Sequence, residues 1–272
     1  MKNNNEKLEK LKNMKNVLNR TKYALLLAAV LTANKANVNA GDVNAVAPGG
    51  AGIVNYEAGS PYVDTVCGVV DNLPYSVKAM LINDKYTVNV VNHPDDIETI
   101  VYGSYGDQGV DGICLALIGD GRTKWGSIYV EANLPYALQT YNIFAPEYVQ
   151  KYGAEAVLRR RVVSVTIHEI GHAVYYHEIS KVPNYDAMLT DIYLNEVNGF
   201  NQTAFHKEIA YSADTTYDQK EYFAEAFACY YLYPTELATK CPRTYQFVQN
   251  NLALLNQEFP APIKGDVKTL EK

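Results

Sequence analysis

The chain has 272 residues, enough for one large domain or two closely packed lobes with a sizeable core. Apolar residues make up 48%, an ordinary globular share. A formal net charge of −6 and a pI near 5.4 exclude the basic footprint of a nucleic-acid binder. Tyrosine outnumbers phenylalanine 23 to 7. Such side chains join an apolar body to a wet tip, which suits an open groove or a solvent-rich surface, or reflects simple compositional bias.

Residues 1–22 are polar and lysine-rich, and YALLLAAVLTA follows at 23–33. A basic stretch before a short apolar run has the form of a secretory leader and is too short to cross a bilayer comfortably. Val38-Asn39-Ala40 offers a cleavage site, and Ala36 offers another. The expectation is a signal peptide over 1–40, export from a Gram-positive-type cell and a secreted product. No other stretch is apolar enough to span a membrane. Residues 41–60, rich in Gly, Ala and Asn, read as a flexible mature N-terminus.

From Pro61 the pattern turns globular, and one domain is expected over 61–272. Tyr86, Val88 and Val90 alternate as a strand after an Asn83-Asp84-Lys85 turn. Residues 94–101 read as a short helix opened by Pro94. Tyr102 to Gly112 is a Gly- and Asp-rich loop. Residues 113–118, ICLALI, read as a buried strand, and 119–123 as a tight turn lacking the longer Gly-rich run of a phosphate loop. Residues 126–132 form a further strand. A strand shortly before the next helix could be an edge that a substrate chain joins, or an ordinary interior strand. Pro146 to Gly153 starts and stops a helix, and a long helix follows over about 154–180.

That long helix carries His168-Glu169-Ile170-Gly171-His172, an HExxH motif. Positions four apart lie one turn above each other, so His168 and His172 can aim two imidazoles at one point. Neutral imidazole suits zinc. Glu169 stands beside the first histidine, where it can take a proton from a water without being a ligand. The flanks, Val165, Ile167, Ala173 and Val174, are apolar. Two histidines and a glutamate on a buried helix need a reason, because unpaired buried polar groups are costly, and one zinc ion per chain supplies it.

The third ligand does not follow directly. His177 lies five residues after His172 and falls off the ligand face. Further on, Glu221-Tyr222-Phe223-Ala224-Glu225-Ala226-Phe227-Ala228 reads as an apolar helix with two carboxylates one turn apart. Such a pair can divide the labour. Glu221 binds the metal, and Glu225 accepts a hydrogen bond from the outer nitrogen of a ligating histidine. Cys67, Cys114, Cys229 and Cys241 show no CxxC spacing. In an exported chain they permit two disulfides, one of them stapling Cys229 to Cys241, and free thiols fit equally well.

IHEIGHAV, then EYFAEAFA some fifty residues later, then CPRTYQFVQNNLALL, together resemble the catalytic domain of anthrax lethal factor and its smaller secreted relatives, the Pro-Pro endopeptidases. The resemblance covers roughly residues 154–257, and no motif in 41–150 contributes to it. It implies an α+β, zincin-like fold of the gluzincin type. A small mixed sheet would lie over the HExxH helix in an upper lobe reaching to about 180, with a helical lower lobe over 181–272. It implies His168, His172 and Glu221 as zinc ligands and Glu169 as general base. It also implies a tyrosine before the ligand glutamate that steadies the oxyanion. The family's position for it is Asp214 here, a departure. Tyr211 fits the context best and Tyr217 is the alternative. The function implied is a secreted zinc metalloendopeptidase, a monomer whose partner is a protein or peptide substrate. A cell-wall peptide hydrolase and a non-catalytic binding protein are the rival readings. Retention of Glu169 argues against the non-catalytic one.

Overall fold

The computed structural model describes residues 52–56, 59–91, 112–119, 122–131, 146–179, 181–208 and 219–262. The expected helix over 94–101, most of the loop over 102–112, and the leader all lie outside them.

Four strands form one mixed sheet: β1 (Val54–Tyr56), β2 (Tyr86–Val91), β3 (Gly112–Gly119) and β4 (Arg122–Glu131), in the order β1-β2-β4-β3. β1, β2 and β4 run parallel, with Val54 opposite Val88 and Val88 opposite Ile128. β3 runs antiparallel to β4, with Cys114 opposite Ile128. Alternation does what it should: Tyr86, Val88 and Val90 are buried while Thr87, Asn89 and Val91 are less so. Gly126 is required by its cross-strand partner Tyr86, whose ring would lie 2.0 Å from a Cβ placed there.

The strands depart from the sequence reading in three places. Residues 54–56, inside the stretch expected to be loose, form β1, because Ile53 and Val54 are buried in the core beside β2. The strand suggested as a possible edge, β4, is interior, flanked by β2 and β3. Among the described residues the edges are β1 and β3, and the sequence reads β3 as a buried strand. Only Cys114 of its first five residues is buried, and the other four are half-buried.

Two helices precede the sheet's second strand: α1 (Val63–Asn72) and α2 (Tyr75–Asn83). Asp84 caps α2 at its C-terminal end, and the turn into β2 passes through Lys85 at φ 57. α3 (Pro146–Tyr152) stops at Gly153, whose φ of 80 breaks it from α4 (Ala154–Ile179). α4 is buried almost all round, the pattern of a central core helix, and packs on β3 and β4 on one side. Its N-terminal end is tied to α1. Arg159 donates to Asp64 (3.1 Å), Thr65 (3.0 Å) and Glu155 (2.9 Å), and Tyr62 donates to Glu155 (2.6 Å).

The rest is helical: α5 (Tyr185–Phe200), α6 (Ala204–Glu208), α7 (Gln219–Leu232), α8 (Pro234–Lys240) and α9 (Pro242–Glu258). The α+β expectation therefore holds, with a small mixed sheet against the HExxH helix and a helical second half. α9 begins with Pro242 at its first position, where a missing N–H costs nothing. Buried Glu196 of α5 then caps it, accepting from the backbone N–H groups of Arg243 (2.9 Å) and Thr244 (2.8 Å) and from Thr244 Oγ1 (2.7 Å). Several tyrosines serve this core rather than a groove. Tyr185 packs edge-on against Tyr175 and at a tilt against Phe223 and Phe247, and its hydroxyl donates to buried Asn251 at 2.8 Å. All four cysteines are free and buried.

Candidate metal centre

Two helices build the site. α4 presents His168 and His172 one turn apart, and their Nε2 atoms lie 3.0 Å from each other. α7 presents Glu221 in its first turn, with Oε2 at 3.3 Å from His168 Nε2 and 3.4 Å from His172 Nε2. The three donor atoms fall within 4.8 Å of one another, and no other such group of His, Cys, Asp or Glu occurs among the described residues. Two imidazole nitrogens and one carboxylate oxygen converging on a point are a donor set that suits zinc. The sequence-predicted trio is thus brought together.

The approach of α7 to α4 depends on Gly171. A Cβ there would lie 2.9 Å from Ala224 Cα, 3.2 Å from Ala224 O and 3.1 Å from Phe227 Cβ. The glycine inside the HExxH motif lets the backbone of α7 rest directly on α4. Ala224 lies one turn after Glu221, so this contact sets how near the carboxylate comes to the two imidazoles. The sequence analysis gives Gly171 no role. The signal that could have exposed it was a glycine within a helix otherwise buried on all sides.

Burial pushes the Glu221 carboxyl up, but hydrogen bonds from His168 and His172 outweigh it and hold the group well below the usual carboxylate range. The Glu221 side chain stays 54% exposed while that of His172 is 7% exposed, so the centre opens to solvent on the α7 side. The His172 ring is held by Tyr176, stacked at 6.4 Å with an interplanar angle of 26°. Its Nδ1 is buried and finds no hydrogen-bond partner among the described residues.

Glu169 is buried on α4 against β3. Glu225, one turn beyond Glu221, places its carboxylate 3.7 Å from Nδ1 of His206 on α6. Tyr211, Tyr217 and Asp214 lie outside the described residues. His177 is off the ligand face, as its spacing implied, and is occupied elsewhere. Its Nδ1 donates to Asp84 at 2.6 Å, and its Nε2 faces Glu258 (3.1 Å) and Lys181 (2.6 Å). Burial disfavours its charged form, but Asp84 and Glu258 outweigh burial and raise its pKa.

Residues 148–251 match the family model described as anthrax toxin lethal factor, N- and C-terminal domain. The resemblance carried by the three motifs is borne out over that stretch, which spans α4, α7 and most of α9. Among solved structures, the Pro-Pro endopeptidase of Paenibacillus alvei is similar at 20% identity and a TM-score of 0.38, covering 73% of this chain and 96% of that one. The comparison with curated proteins returned no match.

Proposed function

We propose that the chain is a secreted zinc endopeptidase, exported by the leader over residues 1–40 and acting on extracellular or cell-surface proteins. The observation that carries the reading is the convergence of His168, His172 and Glu221 within 4.8 Å, with Glu169 next to the first ligand on the same helix. The lethal factor family match over residues 148–251 supports the same chemistry.

His168, His172 and Glu221 would hold the metal. When bound there, zinc would supply Lewis-acid chemistry, polarising a scissile carbonyl and making water acidic enough to be deprotonated near neutral pH. The chain's own residues do the rest. Glu169 takes the proton from the attacking water and delivers it to the leaving amine, turning a poor leaving group into a good one. Its burial keeps bulk water from competing for that proton. Tyr211 donates a hydrogen bond to the developing oxyanion. The edge strand β3, which no other strand pairs on its outer side among the described residues, offers backbone groups to an extended peptide lying across the site.

Elemental analysis of the dialysed protein, paired with cleavage of a peptide library read by mass spectrometry, tests the proposal. About one zinc per chain and defined internal cut sites are expected. Glu221→Ala should lose both. Full zinc occupancy in that variant would remove Glu221 from the ligand set, and zinc binding without any cut peptide would leave a metal-binding protein of another kind.

A further inference from the structure

We infer that Gly112, on the edge strand, is a positioning residue for Glu169: the absent side chain leaves the space in which the carboxylate is held and aimed. The inference deepens the endopeptidase reading and, for its catalytic consequence, rests on it.

Val165 and Glu169 are one turn apart on α4 and share the face that meets β3. Gly112 sits at the start of β3, and Cys114 and Ala116 follow it on the same side of the strand. A Cβ at Gly112 would stand 2.6 Å from Val165 Cγ1, 2.8 Å from Glu169 Oε1 and 3.0 Å from Glu169 Cγ. The strand backbone therefore bears directly on the side chain of the general base. A second group reports the same proximity. Burial, followed by the negative charge of Glu169, pushes the Cys114 thiol well up. Glu169 is thus packed between its own helix and the glycine end of the strand that would receive substrate. The helix fixes where the carboxylate starts and the strand fixes how far it can swing.

The two contacts respond differently to an added methyl group. Val165 is β-branched and locked at χ1 in a helix, so it cannot step aside. Glu169 has a long side chain, and its end can turn. A methyl group at Gly112 would therefore re-aim the carboxylate and crowd Val165. Misplacing a catalytic group by about 1 Å can cost about 10²-fold in rate.

The test uses the full chain in three variants: G112A, V165A and G112A/V165A. The double variant removes the clash with Val165, so the fold has room, and leaves only the contact with Glu169. One readout needs no activity. In metal-free protein carrying 13C-labelled glutamate, the Glu169 carboxyl resonance is assigned by its loss in E169Q. The second readout is kcat and KM on a peptide that the wild type cuts. Relative to V165A, the double variant should shift the Glu169 resonance, keep full zinc, lower kcat by about 10- to 100-fold and leave KM within about threefold. An unmoved resonance with kcat equal to that of V165A overturns the inference, since Gly112 would then only make room for Val165. Loss of zinc in the double variant also overturns it, because the methyl group would be acting through the ligands. A shifted resonance in a protein whose wild type cuts no peptide upholds the placement of Glu169 and sinks the endopeptidase reading instead.

Discussion

Gly171→Ala puts the closeness of the two site helices to a quantitative test. Two effects oppose each other. Alanine is the better helix former by roughly 1 kcal/mol, which on its own would stabilise α4. Against this, the new Cβ would meet Ala224 Cα at 2.9 Å, Phe227 Cβ at 3.1 Å and Ala224 O at 3.2 Å. Carbon atoms at rest sit about 3.5–4.0 Å apart, so the overlap is about 0.6–1.1 Å at Ala224 Cα and about 0.4–0.9 Å at Phe227 Cβ. Two of the three atoms are backbone and cannot rotate away. Overpacking of this kind typically costs about 1–3 kcal/mol, and rigid neighbours place it near the top of that range. The net effect is a loss of roughly 1–2 kcal/mol, and at about 2–4 °C per kcal/mol the metal-free Tm should fall by about 2–8 °C. The helices relieve the overlap by moving apart, and Glu221 moves with Ala224. Zinc affinity should therefore drop by roughly 10- to 100-fold, the scale of a lost supporting contact around a metal. Thermal melts of metal-free protein and a competitive zinc titration read the two quantities. A Tm at or above wild type, with zinc affinity unchanged, would show that propensity wins and that the close approach does not position the ligand.

Three further outcomes are expected. Glu169→Gln keeps zinc and fold but cannot move a proton, so peptide cleavage should fall by at least about 10²–10⁴-fold, and near-normal turnover with zinc in place would remove Glu169 from the chemistry. Tyr211→Phe should lower kcat by roughly 10²–10³-fold with KM little changed, and Tyr217→Phe much less; the reverse ranking would move the oxyanion role to Tyr217. His177→Gln tests the charged cluster of His177, Asp84, Glu258, Lys181 and Glu178. The raised pKa of His177 gives stability that is full below about pH 6.5 and is lost as pH rises through its higher folded value. Burial pushes the Glu258 carboxyl up, but Lys181 and His177 more than offset it and lower the group. That part of the stability fades only as the pH falls below the ordinary glutamate range. Burial raises the pKa of neighbouring Glu178, which works the other way above that range. The Tm gap between wild type and His177→Gln should be wider at pH 6 than at pH 9, and an equal gap at both would mean that His177 is not charged in the fold.

Local chemistry was readable where it repeats at a fixed spacing. The turn at Asn83-Asp84-Lys85, the helix bounded by Pro146 and Gly153, and the HExxH helix all announce themselves through residues that restrict their own backbone or recur on one face. Glu221 was legible because a carboxylate amid YFA and AFA is out of place without a partner. What escaped depends on contacts between distant segments. The three residues of β1 carry too short a pattern to stand out from Gly- and Asn-rich neighbours. Whether β3 or β4 lies at the edge depends on strand order, which alternation does not encode. Gly112 and Gly171 look like any other glycine until the strand or helix that presses on each is known. Glu196 is likewise an ordinary helix glutamate until α9 starts beside it.

The meeting of Asp84, His177 and Glu258 bears on how the molecule comes apart. Asp84 closes α2 in the first half, Glu258 is the last residue of α9, and both reach a single histidine on the central helix while α2 and α9 also pack together. The break near residue 180 is therefore a change of architecture and not a seam. A chain joined end to end in this way unfolds as a cooperative unit, because freeing the sheet half strips α9 of the surface it covers. It also folds late. The pairing of Asp84 and Glu258 with His177 joins residues far apart in sequence, which raises the contact order. A chain arranged so completes its core only once α9 has docked.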